Sequence, residues 1–427
     1  MSDSVLLVGG GGREHAIARA LADTELYACA SNRNPGIARI ATDVETLDET
    51  DPAAVVEYAE SVGVSLAVIG PEAALEAGVV DALEDVGVYA FGPRQADARI
   101  ETDKTFQREF MDENDITGTP AFATFADPDS AAEYVESVEG HVAVKPRGLT
   151  GGKGVRVTGD QLSKPEAATY IRNSDYEEWV IEERLVGEEF TVQAFVANGD
   201  VRGTPAVQDH KRAYEGDEGP NTGGMGSYSD ARFALPFMTD EEYDEALGII
   251  QETVEALEDY RGILYGQFML TAEGLKVVEF NARFGDPEAM NTLPVLETDF
   301  LDVLGAARDG EPLPELAFAA QATVCKYAVP AGYPTDPEDG AEVAVDEESV
   351  GDGLLFYASV DERDDGIYTT TSRSFAVVGV ADSIDRAERI AEDGLSDVDE
   401  GFHVRHDIGT EELVQSRIDH MAELRGE

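Results

Sequence analysis

The stretch VLLVGGGGREHAIARAL (residues 5–21) decides the fold class of the first third of the chain. A run of β-branched and leucine residues, Val5–Val8, is short enough for a buried strand. Four glycines follow, then a segment with helical spacing at 13–22. Working outward, Leu26–Ala30, Leu66–Ile69 and Val88–Phe91 repeat the short apolar run, and helical patterns at 52–62 and 72–86 lie between them. Strands alternating with helices predict an open parallel sheet, whose ligands sit beyond the carboxyl ends of the strands. Gly9–Gly12 and Gly70–Glu72 fall at two such ends. Glycines let a backbone approach a ligand closely, and a helix N-terminus offers unpaired N–H groups to an anion. The 9–14 stretch therefore reads as a phosphate cradle. It is not a dinucleotide fingerprint: counted from Gly9 or Gly10, the last glycine of G-x-G-x-x-G is replaced by Glu14 or His15. This argues against a nicotinamide dehydrogenase.

The chain has 427 residues and a formal net charge of −57. Its apolar content permits a core. An acidic surface of this kind repels polyphosphate and anionic lipid, so nucleic acid and membrane surfaces are excluded as partners. The acidic residues are dispersed rather than clustered, which suits a high-salt cytoplasm where counterions screen self-repulsion; a halophilic, cytoplasmic protein is expected. Two cysteines, Cys29 and Cys325, cannot form a disulfide framework. No apolar run reaches a membrane span, and the N-terminus does not read as a secretory signal.

Five further constellations carry chemistry. VAVKPRGLTGGKGVRV (142–157) reads as strand, glycine-rich loop, strand. Its Lys145 and Lys153 belong, with Lys104, to only 7 lysines against 24 arginines in the chain. It is not a Walker A loop, because Gly154 follows the loop lysine and Arg147 stands where the first glycine should be. VIEERLVGEEF (180–190) ends a strand in carboxylates that could meet a purine amino group and a ribose, with the Leu185 backbone on a ring nitrogen. YGQFML (265–270) and LKVVEFN (275–281) predict a hairpin around Ala272–Gly274. With Thr271 opposite Leu275, Gln267 faces Glu279, and Asn281 shares that face. Three hard oxygens there suit Mg²⁺ that is also bound by phosphates. QDHKR (208–212), GPNTGGMG (219–226) and RFGDPE (283–288) supply a basic island, a second glycine-rich loop, an arginine for an anion and Asp286 for an amine. The remaining histidines show no metal-ligand spacing, and Trp179 reads as core. Residues 308–320 read as a linker, and 321–427 as a strand-rich segment with a helix at 382–394.

In this order and spacing, VGGGGREHA (8–16), GPEAALEAGVVDAL (70–83), KPRGLTGGKGV (145–155), EERLVGEE (182–189), QDHKR, GPNTGGMGSY (219–228) and EFNARFGDPE (279–288) resemble the ATP-grasp ligases, and among them the phosphoribosylamine–glycine ligase family. The resemblance implies an α/β chain (α+β overall) with a biotin-carboxylase-like N-terminal domain at 1–100 and an ATP-grasp domain at 101–307. Within the latter it implies a mobile subdomain at about 115–190, and at 321–427 a small C-terminal domain. It implies ATP contacts from Lys104, Lys145, Lys153, Glu182, Glu183, Leu185 and Glu189, and Mg²⁺ or Mn²⁺ on Gln267, Glu279 and Asn281. For the substrates, glycine and 5-phosphoribosylamine, it implies Gly9, Gly10, Gly11, Gly12, Arg13, Glu14, Asp209, Lys211, Asn221, Thr222, Arg283 and Asp286. Lys145, Lys153 and Arg283 would act in catalysis, through glycyl phosphate. A bicarbonate-using ligase of the same superfamily is the alternative. The chain departs from the family pattern at Pro146-Arg147, where Ala-Asp is usual, and at Gln267, where a carboxylate is expected.

Overall fold

A computed structural model describes residues 4–149, 154–345, 347–396, 398 and 401–427. Lys153 and residues 150–152 lie outside the described residues. The N-terminal layer is the expected parallel sheet: β1 (Ser4–Val8), β2 (Glu25–Ala30), β3 (Asp43–Thr46), β4 (Leu66–Ile69) and β5 (Tyr89–Phe91), in the order β3-β2-β1-β4-β5. Val5 to Val8 are fully buried, as a central strand covered on both faces requires. Edge strand β3, of sequence DVET, is mostly exposed and has no apolar run to betray it. The helix before it, Pro35–Ile40, is set by Asn34, whose Oδ1 accepts from Gly36 N at 2.9 Å and Ile37 N at 3.3 Å. The helix expected over 72–86 is two, Glu72–Glu76 and Val79–Asp85, because Gly78 takes a left-handed φ of 82° between them.

Next comes a four-stranded layer, β6 (Phe122–Phe125), β7 (Val142–Pro146), β8 (Arg156–Val157) and β9 (Trp179–Glu183), in the order β6-β9-β7-β8. Helices Pro128–Ser137 and Lys164–Asn173 cover it through Ala131, Val135, Ala168 and Ile171, and Trp179 is fully buried there, as expected. An antiparallel sheet follows, in which β11 (Asp200–Gly203), β10 (Gly187–Ala197) and strands Gly262–Thr271 and Gly274–Asn281 lie side by side in that order.

The last sheet is not confined to 321–427. Strands Gln208–Asp209 and Gly226–Ser229 join Ala322–Pro330, Phe375–Ala381 and Leu354–Tyr357, and the register Ser227↔Cys325 stitches the two parts together. Helix Ile384–Asp393 stands where one is expected. The terminal helix Glu411–Arg425 is an addition to the expected pattern. Thr410 caps it, and charges tie it down: His420 Nδ1 lies 2.6 Å from Glu188 Oε1 and Arg425 Nη2 2.7 Å from Glu242 Oε1. Among the described residues no helix is long and apolar enough to cross a membrane.

Candidate active site

The 262–281 hairpin places Gln267 opposite Glu279 and Tyr265 opposite Asn281. The expected pairing holds, but not by the expected route. The turn is one residue tighter: Thr271 pairs with Gly274, not Leu275. A bulge between Gln267 and Phe268 then leaves Val278 without an opposite residue and restores the Gln267–Glu279 pairing. A bulge leaves carbonyls off the ladder, and here two cations take them. Arg108 Nη2 donates to Val278 O at 2.6 Å and Val277 O at 3.2 Å, and Lys145 Nζ donates to Val278 O at 3.0 Å.

Both cations converge on Glu182. Arg108 Nε reaches Glu182 Oε1 at 2.7 Å, and Lys145 Nζ reaches Oε2 at 2.8 Å. All three side chains are buried. Burial by itself would raise the Glu182 carboxyl, but the Arg108 and Lys145 charges hold it below its ordinary value. Burial pulls the Lys145 ammonium down, against the attraction of Glu182. Glu182 is thus the counter-ion of Arg108 and Lys145, which corrects its reading as acceptor of a purine amino group. Glu183 turns its carboxylate away to Ala121 N, at 2.9 Å, and its own N–H donates to Ala121 O at 2.9 Å. Half-buried Leu185 follows in the extended link to β10.

A cavity of about 380 Å³ lies beside the hairpin. It gathers Arg13, Lys104, Asp209, Lys211, Thr222, Glu279, Asn281, Arg283 and Asp286, which the sequence scatters over 270 residues. Among the described residues its wall carries five basic and six acidic side chains, so basic groups are nearly half of its charges against about a quarter in the whole chain. Burial would raise the Glu279 carboxyl, but Lys211, Lys104, Lys145 and Arg283 bring it down to about 2. Glu189 accepts from Gln267 Nε2 and lies 3.3 Å from Lys211 Nζ. Asp209 Oδ1 is buried without a partner among the described residues, and burial followed by neighbouring Glu288 pushes its carboxyl well up.

Several expected roles change. Arg283 is no free clamp for an anion: Nη2 lies 2.8 Å from Glu101 Oε1 and Nε 3.3 Å from Glu72 Oε2. Burial pushes the Glu101 carboxyl up to about 7, against the Arg283 charge. Asp286 already accepts from Tyr327 Oη at 2.6 Å and faces Arg373 Nη2 at 3.3 Å. Asn221 sits outside the cavity wall, its Oδ1 3.4 Å from Gln161 Nε2. Of the 9–14 stretch only Arg13 lines the cavity. Glu14 folds back so that Oε2 accepts from Gly11 N at 2.7 Å and fills the turn against Gly9 and Gly70. Gly9 and Gly11 thus pack against a carboxylate of the chain itself, and Gly10 against Asn32 and Ala30. Gly12 has a different duty: a Cβ there would lie 2.5 Å from Tyr327 Oη.

Sequence reasoning missed Arg108, Tyr265, Arg373 and, as individual site residues, Glu72, Glu101 and Glu288. Glu72 and Glu288 stand inside quoted motifs and were findable there. Arg373 had no local signal; it crosses from the last sheet to donate to Gly223 O at 2.6 Å and Asp286 O at 2.9 Å. The departure at Arg147 has a structural account. Its guanidinium bridges Asp103 Oδ2, at 2.7 Å, and Glu178, tying the end of β7 to the capping residue of helix Lys104–Glu113.

The donor set suits a hard divalent cation. Gln267 Oε1 is buried with no partner among the described residues, its own amide hydrogen being spent on Glu189. Glu279 opposite it is an ionised carboxylate with no hydrogen bond among the described residues, and Asn281 adds a second amide oxygen on that face. One carboxylate and two amides leave coordination to be completed by phosphate oxygens and water, as is usual for Mg²⁺.

Family models of phosphoribosylglycinamide synthetase match the chain in three consecutive pieces: the N domain at residues 3–101, the ATP-grasp (A) domain at 102–289 and the C domain at 323–411. A phosphoribosylamine–glycine ligase of Methanococcoides burtonii is 54% identical, covering 99% of this chain and 100% of that protein. One from Methanocella arvoryzae is 52% identical over 99% of this chain and 100% of its own length. The crystal structure of the Thermotoga maritima phosphoribosylamine–glycine ligase superposes with a TM-score of 0.79 at 28% identity, covering 95% of this chain and 100% of that one. An N5-carboxyaminoimidazole ribonucleotide synthetase from the same organism, at 17% identity and a TM-score of 0.65 over 95% of this chain and 99% of its own, shares the fold. The chain belongs to the phosphoribosylglycinamide synthetase family.

Proposed function

We propose that this chain ligates glycine to 5-phosphoribosylamine, consuming ATP and releasing ADP and phosphate. The observation that carries the reading, beyond family membership, is the central cavity: a nearly charge-balanced enclosure, with Glu279 and Asn281 in its wall, in a chain whose net charge is −57.

The chemical obstacle is that a carboxylate oxygen is a poor leaving group. A glycine carboxylate oxygen bonds to the γ-phosphorus while the bond to the bridging oxygen breaks and ADP departs. The amine nitrogen of phosphoribosylamine then bonds to the acyl carbon, the acyl–oxygen bond breaks, phosphate leaves with the electron pair, and the nitrogen loses a proton. Phosphoryl transfer needs positioning and charge neutralisation more than covalent help. Gln267, Glu279 and Asn281 would hold Mg²⁺ or Mn²⁺, which when bound offsets phosphate charge. Lys104 and Lys211 present ammonium groups to the same cavity, and Lys145, pinned by Glu182 and Val278 O, keeps one N–H for a nucleotide. Glu189, oriented by Gln267 and Lys211, is the carboxylate for a ribose. Asp209 Oδ1, buried with no partner among the described residues, offers an acceptor to a substrate N–H in the cavity.

ADP release should require both glycine and phosphoribosylamine when each is omitted in turn. With ¹⁸O in the glycine carboxylate, label should appear in the released phosphate. Unlabelled phosphate from a competent turnover rejects the acyl-phosphate route, and bicarbonate-dependent ADP release without glycine rejects the reaction.

The acidic surface supports a second expectation. Screening of 88 carboxylates against 31 basic groups should make activity and thermal midpoint rise together from dilute buffer to molar KCl. A maximum in dilute buffer would contradict it.

A further inference from the structure

Arg373 stands between strands Gly366–Thr369 and Phe375–Ala381, in the last third of the chain, yet its side chain enters the wall of the central cavity beside Tyr333. Its contacts are the informative feature. Nη1 donates to Gly223 O at 2.6 Å, Gly224 O at 3.1 Å and Asp286 O at 2.9 Å. Nη2 faces Asp286 Oδ1 at 3.3 Å. The guanidinium lies 4.6 Å from the centre of the Tyr327 ring, and Tyr327 Oη donates to that same Oδ1 at 2.6 Å. One planar cation thus joins the 219–226 glycine-rich loop, the 283–288 segment and, through Tyr327, strand Ala322–Pro330. A lysine has a single nitrogen and no plane to lay on a ring, so it could not make this set of contacts.

Asp209 lies against the pieces that Arg373 joins. Gly224, at a φ of 109°, packs on its carboxylate: a Cβ there would come 2.6 Å from Asp209 Oδ1 and 2.8 Å from Pro287 Cδ. Gly224 therefore sits between Asp209 and Pro287. Arg373 holds the Gly224 carbonyl on one side and the carbonyl of Asp286, the residue before Pro287, on the other. Gly223 is fastened a second time, its N–H donating to Tyr333 Oη at 3.2 Å. Asp209 Oδ1 is buried with no partner among the described residues. With no bond of its own there, that oxygen is placed by the two segments packed beside it, and Arg373 sets the distance between those segments.

We propose that Arg373 is a positioning residue for the ligation: by fastening the Gly223–Gly224 turn to the Asp286–Pro287 segment, it places Asp209 to accept an N–H of an amino substrate. This rests on the reading of the chain as a ligase of glycine and phosphoribosylamine, and adds to it a residue that acts through Asp209. None of the Arg373 contacts above reaches Lys104, Lys145, Glu279 or Asn281, so nucleotide affinity should not depend on it.

The test is steady-state ADP release by the full chain, with glycine, phosphoribosylamine and ATP varied in turn. Arg373→Lys keeps the charge and loses the fork. It should raise the KM of glycine, of phosphoribosylamine or of both by about tenfold, the effect of losing one or two hydrogen bonds, and leave that of ATP within about threefold. A double-mutant cycle with Asp209→Asn separates positioning from general support of the fold: the fold-change caused by Arg373→Lys should shrink once Asp209 is gone. Should Arg373→Lys not fold, the same comparisons are made with Tyr327→Phe, which removes only the hydroxyl that holds the same segment. All three KM values within about threefold of wild type, all three raised together, or an equal fold-change in the Asp209→Asn background overturns the proposal alone. Wild-type ADP release that is indifferent to glycine and phosphoribosylamine rejects the ligation reading, and the proposal with it.

Discussion

Replacing Glu279 by glutamine is expected to lower turnover by about two to three orders of magnitude, the effect of removing one electrostatic contact from a transition state of developing charge. The substitution conserves size and one oxygen, so what it deletes is the charge. That charge is the centre of the site: Lys211, Lys104, Lys145 and Arg283 all act on it and hold the carboxyl down to about 2 despite burial. It is also the one carboxylate among Gln267, Glu279 and Asn281 that a divalent cation could neutralise. Apparent affinity for Mg²⁺ should fall with turnover, and raising Mg²⁺ should recover part of the loss. Stability gives a second reading. A carboxyl with a depressed folded pKa stabilises above its unfolded value, and this contribution is lost as pH falls through the folded one. The pH dependence of stability between roughly 4.5 and 2 should therefore be shallower in Glu279→Gln. Turnover within fivefold of wild type would remove Glu279 from the reacting centre.

Arg108→Met should be the most damaging single change to stability, costing about 3–5 kcal/mol in denaturant unfolding, because it leaves buried Glu182 short of its principal counter-ion. It also strips the Val277 and Val278 carbonyls of a donor at the bulge that sets Gln267 against Glu279. Activity should fall further than the folded fraction does. Arg108→Met/Glu182→Gln should recover much of the stability but not the activity, since the second substitution relieves the stranded carboxylate without rebuilding the bulge. A single-variant loss below ~1 kcal/mol would show that Lys145 alone satisfies Glu182 and that the network is not cooperative.

Much of the architecture was legible where one side chain in two or four is apolar. β1, β2, β4 and β5 announce themselves as short buried runs, and helix Pro52–Val62 spans the stretch its helical pattern marks, with Asp51 capping its start and left-handed Gly63 ending it. What escaped follows a common cause. Edge strand β3 buries almost nothing, so its sequence carries no hydrophobic period. The terminal helix buries only Leu413 and Met421 fully and is held instead by ion pairs to Glu188, Asp217 and Glu242, which no local pattern announces.

The chain's own sequence determined the family, the parallel N-terminal sheet, the hairpin that carries Glu279 and Asn281, and part of the set of residues that meet in the central cavity. These follow from motifs in order and from periods of two and 3.6, which are properties of neighbours along the chain. Tertiary structure alone decided which charges remain for a ligand. Glu182, Arg283 and Asp286 read as binding groups until Arg108, Glu101, Glu72, Tyr327 and Arg373 arrive from elsewhere and claim them, and the glycine turn reads as a phosphate cradle until Glu14 fills it. The reason is physical: a buried charge is costly without a partner, and partners are found across space rather than along the sequence.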